Sequence, residues 1–255
     1  MSDARNILGG TVYLTGAGPG DPELLTRRAA ALLGEADSIL HDDLVSGEVL
    51  ALAGPRAVVI NVGKRCGHKV ITQQEINAMM IARARSGEAV VRLKSGDPLL
   101  FGRAGEEIRA LVAAKIPFEV VPGISAAFAA AAAAGLALTD RGGASRLVFA
   151  SGHHAHDGRR EEWSSTAGTT LARYMPGKDY AGIQAELLAD GWPAETPCLV
   201  VSNASWRSQI VRGTTLAELP AITPLPAPAI LLVGESLAPF SETQSAAPQT
   251  AERLS

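Results

Sequence analysis

Two short loops of this 255-residue chain gather the residue types that hold small ligands. Gly16-Ala17-Gly18-Pro19-Gly20-Asp21 follows a short apolar run, and Lys94-Ser95-Gly96-Asp97-Pro98 follows another. Glycine and serine permit close backbone approach, and a carboxylate such as Asp97 accepts from a hydroxyl or an ammonium group. The first loop is not a dinucleotide fingerprint, whose third glycine comes one residue later, and no Gly-Lys-Ser/Thr of a phosphate loop follows it. Pro19 also removes a backbone donor that a phosphate would use. By itself this loop reads as a plain strand-to-helix turn. The second lies at the carboxyl end of a predicted strand, where open α/β sheets bind their ligands, and it reads equally well as an Asp-Pro turn.

Basic residues recur nearby: Lys64 and Arg65, Arg92 and Lys94, Arg103, and Arg141. Each alone reads as a solvated surface charge. Together, at the ends of successive predicted strands, they suggest a pocket for carboxylates, which arginine grips with paired hydrogen bonds. Asp42 and Asp43 directly follow a predicted strand, where a carboxylate pair suits proton transfer and where two exposed loop aspartates are the commoner finding. His153, His154 and His156 fit no standard metal spacing, so no metal is expected. Cys66 and Cys198 lie far apart and match no metal or redox motif, which leaves two ordinary thiols.

These residues need a scaffold. The sequence is 47% hydrophobic and 19% charged with 26 glycines, which supports a sizeable core with many tight turns and excludes global disorder. A net charge of -3 gives no general pull toward nucleic acid, so an anionic ligand must meet a local cluster of cations. Residues 1–10 lack a basic stretch followed by an apolar run, and the apolar stretch from Ile124 to Leu138 is mostly alanine and shorter than the ~20 residues of a membrane span. A soluble, cytoplasmic protein is expected.

Apolar runs predict strands at 11–14, 38–40, 58–62, 89–93 and 118–121. Asp21 with Pro22 opens a predicted helix to Leu33, the capping box Thr72–Glu75 opens one to Ser86, and 103–114 forms another. This alternation predicts a mostly parallel sheet covered on both faces. Past Pro122-Gly123 come an alanine-rich helix, strands at 147–150, 169–174, 198–201 and 230–233, a helix at 180–190, and an added antiparallel strand at 209–215. The expected organisation is therefore two α/β domains, 1–121 and 122–237, followed by a disordered tail at 238–255 rich in Ser, Ala, Pro, Thr and Gln.

Set on these elements, the loops extend into longer motifs. Val12 to Thr26 (VYLTGAGPGDPELLT) resembles the opening signature of the tetrapyrrole (uroporphyrin, corrin and porphyrin) methylases, and Val91 to Arg103 (VRLKSGDPLLFGR) resembles their second signature. Asp42 to Ser46, Gly63-Lys64-Arg65 and Ile71 to Asn77 resemble the uroporphyrinogen-III C-methyltransferase branch. Val121 to Ala127 and Leu138 to Arg141 extend the likeness, which covers Gly10 to Leu237 with the motifs in one order and matching spacing.

The resemblance implies two α/β domains with cofactor and active site in the cleft between them, the first on the substrate side and the second on the cofactor side, usually in a homodimer. It implies S-adenosylmethionine as methyl donor, without metal, and twofold methylation of uroporphyrinogen III to precorrin-2 by way of precorrin-1. Cofactor contacts fall on Pro19, Ser95, Gly96, Asp97, Leu100, Ser125, Ala126, Met175 and Ala204. Acid-base and substrate roles fall on Asp42, Lys64 and Arg103, with Glu106, Arg141 and Met175 also at the substrate. Arg103 either binds a substrate carboxylate or assists proton removal, the latter requiring a large fall in its pKa.

Three residues depart from the family pattern. Ser95 replaces a usual glycine and requires a backbone outside the glycine-only region. His41 replaces a common tyrosine, and Ala204 a frequent glycine. The chain also lacks the dehydrogenase-ferrochelatase region of fused siroheme synthases, so the expected product is precorrin-2. Three rivals remain: a methylase of a later corrin intermediate, an RNA ribose methylase, which the charge of -3 disfavours, and a non-catalytic sensor of the same ligands.

Overall fold

The computed structural model describes residues 7–63, 71–152 and 166–238. Lys64, Arg65, Cys66, the three histidines at 153, 154 and 156, and the expected tail beyond Ala238 lie outside the described residues. The chain divides into two compact units, Met1–Ala126 and Ala127–Ser255, where sequence placed the boundary between Val121 and Pro122.

The first unit holds a five-stranded sheet: β1 (Val12–Gly16), β2 (Ser38–His41), β3 (Val58–Asn61), β4 (Val90–Lys94) and β5 (Phe118–Val121). Their order is β3-β2-β4-β1-β5, and every pair is parallel. Helices α1 (Arg27–Glu35) and the short α2 (Gly47–Leu50) cover one face, packing Leu32, Leu33 and Val49 on Tyr13, Ile39, Val91 and Leu93. Helices α3 (Gln73–Arg85) and α4 (Ala104–Ala113) cover the other, where Ile76, Met80 and Leu111 meet Val12, Leu14, Leu40 and Val90. Neighbouring strand residues alternate between the two cores, as the two-residue pleat requires.

The helix expected from Pro22 to Leu33 is broken. Asp21 accepts from the Glu23 amide and caps only a 3-10 turn, Pro22–Leu24; Leu25 is then extended, and Thr26 caps α1 afresh by accepting from the Ala29 amide. Two N-caps in one stretch start two elements. At α3 the capping box forms: Thr72 Oγ1 accepts from the Glu75 amide, and Glu75 accepts from that of Thr72.

In the second unit α5 (Ala126–Ala134) leads to β6 (Arg146–Ser151), β7 (Thr169–Tyr174), α6 (Tyr180–Ala189), β8 (Pro197–Ser202), β9 (Ile210–Thr215) and β10 (Ala229–Val233). The sheet order is β6-β7-β10-β8-β9. β6 and β7 are parallel; the other three pairs are antiparallel, among them the added strand β9 against β8. The alanines of α5 pack closely on Ala172, Leu199, Val201, Ile230 and Leu232. Tyr180, Ile183 and Leu187 of α6 cover the opposite face through Leu171, Val200, Leu231 and Val233. Cys198 is a free, buried thiol, its pKa pushed up to about 12 by burial. Among the described residues no helix is long and apolar enough to cross a membrane.

Candidate active site

The order of the first sheet fixes where a ligand can enter. From β1 the chain leaves through α1 on one face toward β2, and from the adjacent β4 it leaves through α4 on the other face toward β5. Connections that part in this way open a crevice at the carboxyl ends of the two strands. Both glycine loops start there.

The loops are bonded to each other. The Gly18 amide donates to the Gly96 carbonyl at 3.2 Å, the Gly96 amide donates to the Gly18 carbonyl at 2.7 Å, and the Ala17 amide donates to the Lys94 carbonyl at 2.7 Å. A third backbone joins them after β5: a Cβ on Gly123 would lie 2.3 Å from the Gly96 carbonyl oxygen, and one on Gly16 would lie 2.6 Å from Gly123. Three main chains touch here because none carries a side chain. Gly96 takes the left-handed conformation (φ 67°) and Ser95 does not, which accommodates the serine without strain.

Asp97 ties these loops together. One carboxylate oxygen accepts from the Leu99 amide at 2.8 Å and the other from the Gly123 amide at 3.0 Å. Its negative charge is thus placed by backbone donors, and each oxygen retains acceptor capacity for a ligand. Ser125 and Ala126 lie beside Gly96, and the Leu100 amide donates to the Asp97 carbonyl at 3.3 Å. Seven expected cofactor residues, Pro19, Ser95, Gly96, Asp97, Leu100, Ser125 and Ala126, therefore converge on these bonded loops. Small side chains and exposed backbone suit a nucleoside with an amino-acid arm, which needs shape and a few acceptors.

Asp42 and Asp43 do not form a carboxylate pair. Asp43 accepts from Asn61 Nδ2 at 2.8 Å, whereas Asp42 Oδ1 accepts from Arg92 Nη2 at 2.5 Å. The substituted His41 is buried, its ring Nδ1 3.0 Å from the Asp42 carbonyl oxygen. Arg92 and Lys94, expected to face a polycarboxylate ligand, are instead each 2% exposed. They alternate with Val91 and Leu93 and point beneath α3 and α4 to Glu107, which has no exposure. Arg92 Nε lies 2.9 Å and Lys94 Nζ 3.1 Å from Glu107, and Lys94 Nζ is 3.9 Å from Asp42. Burial, seconded by Arg92, lowers the Lys94 pKa; burial also opposes the Arg92 charge, but Asp42 and Glu107 outweigh it and raise the Arg92 pKa.

Arg103 precedes the first turn of α4 in the left-handed conformation (φ 57°), two residues after Phe101 (φ 53°). Non-glycine residues held there cost ~1 kcal/mol or more and gather at functional sites. The Arg103 guanidinium grips Glu106 at 2.7 and 2.8 Å, both half exposed. The hydrogen bond to Glu106 raises the Arg103 pKa. A proton-accepting arginine would need the opposite shift.

In the second unit Met175 directly follows β7 with φ 51° and is exposed. Its carbonyl oxygen lies 2.2 Å from where a Cβ on Gly152 would stand. Ala204 is buried between two left-handed residues, Asn203 (φ 50°) and Ser205 (φ 69°), in the turn after β8. β7 and β8 both oppose β10, so Met175 and Ala204 emerge at one edge of this sheet. Arg141 is exposed in the turn closed by the Asp140–Ala144 bridge. Among the described residues no group of three or more His, Cys, Asp or Glu is placed to hold a metal.

The fold and these loops define a known class. The sequence profile of the tetrapyrrole (corrin/porphyrin) methylases matches residues 11–220, and the chain belongs to that family. Within it, the chain is 46% identical over 231 residues to a uroporphyrinogen-III C-methyltransferase of Paracoccus denitrificans, covering 88% of this chain and 80% of that one. It is 42% identical over 240 residues to a siroheme synthase of Pseudoalteromonas translucida, covering 92% of this chain and 51% of that one. The chain thus spans about half the length of the siroheme synthases it matches. A solved uroporphyrin-III C-methyltransferase from Thermus thermophilus, complexed with S-adenosylhomocysteine, superposes with a TM-score of 0.79 at 38% identity, covering 90% of this chain and 100% of that one.

Proposed function

We propose that the chain is an S-adenosylmethionine-dependent C-methyltransferase that methylates uroporphyrinogen III twice, giving precorrin-2 by way of precorrin-1. The observation that carries this reading is the glycine-bridged loop edge at the carboxyl ends of β1 and β4. It is built from the two family signatures and carries the Asp42 and Arg103 positions at the same sheet edge. The relatives named for this reaction support the substrate. The proposal includes a cytoplasmic homodimer that engages neither nucleic acid nor membrane; the net charge of -3 supports the first of these exclusions.

The cofactor supplies a methyl group already activated as a sulfonium. Ser95, Gly96, Asp97, Leu100, Ser125 and Ala126 would hold it against backbone, with Pro19, Met175 and Ala204 as further contacts. The remaining work is alignment of an electron-rich pyrrole carbon and removal of a proton. Arg103 and Arg141, with Lys64, would bind substrate carboxylates through charge-assisted hydrogen bonds. Glu106 and Met175 would line the substrate, Glu106 exchanging Arg103 for a pyrrole N–H as a substrate carboxylate arrives. Asp42, a third exposed and anchored from below by Arg92, would orient the macrocycle and accept the proton.

Anaerobic incubation with uroporphyrinogen III and methyl-labelled S-adenosylmethionine, followed by mass spectrometry, tests the reading. Addition of two methyl groups is expected. No incorporation with the cofactor still bound would point to a later corrinoid substrate or a sensor. Arg103→Ala is expected to keep S-adenosylhomocysteine affinity and to lower kcat/KM by ~100-fold or more, the loss of a paired charged contact. Wild-type turnover would remove Arg103 from the site.

A further inference from the structure

Glu107 carries none of the roles assigned above, yet it sits beneath two of the groups that do. Its Oε1 accepts from Arg92 Nε at 2.9 Å, Lys94 Nζ at 3.1 Å and Gln73 Nε2 at 3.2 Å. Its Oε2 lies 3.1 Å from Lys94 Nζ but outside hydrogen-bond alignment. The same two cations reach Asp42 from the other side. Glu107 also belongs to the first turn of α4, next to Glu106, and its charge is felt by the Arg103 guanidinium. One fully buried carboxylate therefore links, through Arg92 and Lys94 of β4, the Asp42 carboxylate after β2 to the helix end beside Arg103 and Glu106.

Stability alone gives no reason for this arrangement. A buried ion cluster is commonly matched or bettered by apolar residues of similar volume, because desolvation offsets the attraction between the charges. Directional bonds do what apolar contacts cannot: they fix the relative place of the groups at both ends.

We propose that Glu107 is a positioning residue, which through Arg92 and Lys94 fixes the Asp42 carboxylate and through the first turn of α4 fixes Arg103 and Glu106 relative to it. The proposal rests on the preceding functional reading only for the roles of those three groups. The other charged or titratable groups facing the cluster are His41 and Asp43, beside Asp42 on the β2 end, and Arg103 and Glu106 on α4; Gln73 of α3 is neutral. Glu107 favours the protonated form of Lys94, so its neutralisation makes that ammonium easier to deprotonate.

The test is Glu107→Gln in the full chain, with Asp42→Asn and the double variant. Glu107→Gln is expected to lower kcat for uroporphyrinogen methylation by ~10- to 100-fold, the usual consequence of a misplacement near 1 Å. The KM for S-adenosylmethionine should stay within ~3-fold, since the bonded glycine loops are untouched. The alkaline limb of the kcat profile moves to lower pH, as the Lys94 ammonium loses the anion that sustains it. The double variant should lose less than the product of the two single losses, because the part of the Glu107 effect that acts through Asp42 is already gone.

If Glu107→Gln does not fold, the charge-balanced Lys94→Met/Glu107→Gln pair carries the same cycle. Full activity with an unmoved pH profile, or losses that multiply in the double variant, would overturn the proposal. Crystal structures of wild type and variant read displacement of Asp42 and Arg103 directly. They decide the positioning role even if the wild type leaves uroporphyrinogen III untouched, an outcome that would sink the functional reading alone.

Discussion

The two sheets distribute their loops in different ways. All five strands of the first sheet run in one direction, so the loops after β1, β2, β4 and β5 meet at one edge. In the second, β6, β7 and β8 run one way while β9 and β10 return, which divides the loops between two edges. The parallel sheet thus concentrates glycine turns, Asp42, Asp97 and Arg103, and with them a knot of four charges, three of them buried. The mixed sheet presents Met175 and the turn around Ala204, and its buried cation, Arg173, pairs with the partly exposed Glu186. Convergence of loops brings charges together under a site, and the charges must then neutralise one another inside the protein.

The largest effect expected from this contrast is on stability. Arg92→Met takes one of the two buried cations from Glu107 and should cost ~3–5 kcal/mol in urea unfolding. Arg173→Met removes a pair whose other member, Glu186, is about a third exposed and can rehydrate, so it should cost only ~1 kcal/mol or less. Equal losses would mean that the four-charge knot is no more dependent on its members than an isolated pair.

Glycines sharpen the comparison next. Gly123→Ala forces a methyl onto the Gly96 carbonyl, where 2.3 Å of space is too little and the neighbour is backbone. It should weaken S-adenosylhomocysteine binding tenfold or more, ~1.4 kcal/mol or above, measured by calorimetry. Gly177→Ala, in the second unit, meets open space and suffers only its left-handed φ of 73°. A loss of ~1 kcal/mol in stability with unchanged ligand affinity is expected there.

The smallest effect lies at the opposite edge of the parallel sheet. The hydrogen bond from Ser38, then Arg83, holds the Glu88 carboxyl below its ordinary 4.5. A depressed carboxyl stabilises the fold above that value and loses its contribution as pH falls through the folded pKa. Glu88→Gln should lower stability at neutral pH by ~1 kcal/mol or less and flatten the acid limb of a stability-pH curve, without touching ligand binding. An altered ligand affinity would contradict the division between the two edges.

Much of this organisation was legible in sequence. Apolar runs located β1, β2 and β4 because each is buried on both faces, and the capping box marked α3. The two signatures located the crevice because close backbone contact needs glycine at fixed places. The break after Leu24 was missed because Asp21 and Thr26 are both good caps, and which one starts the long helix depends on packing. Arg92 and Lys94 were read as ligand cations because a strand residue's partner across a layer is not written beside it. A signal did exist: charges two apart within an apolar strand share a face, and Glu107 lies on the same buried stripe of α4 as Ala104 and Leu111. Read together, they already require an internal ion cluster.

The central place of β10 in the second sheet bears on how the protein is made. The first sheet is complete once Val121 has been synthesised, and it can close while the rest of the chain is still being translated. The second cannot, since β7 and β8 each wait for a strand at 229–233 to slot between them. Until that last strand leaves the ribosome, the facing edges of β7 and β8 carry unsatisfied amides and carbonyls, and a nascent chain halted before Ala229 would present two open edges to its neighbours.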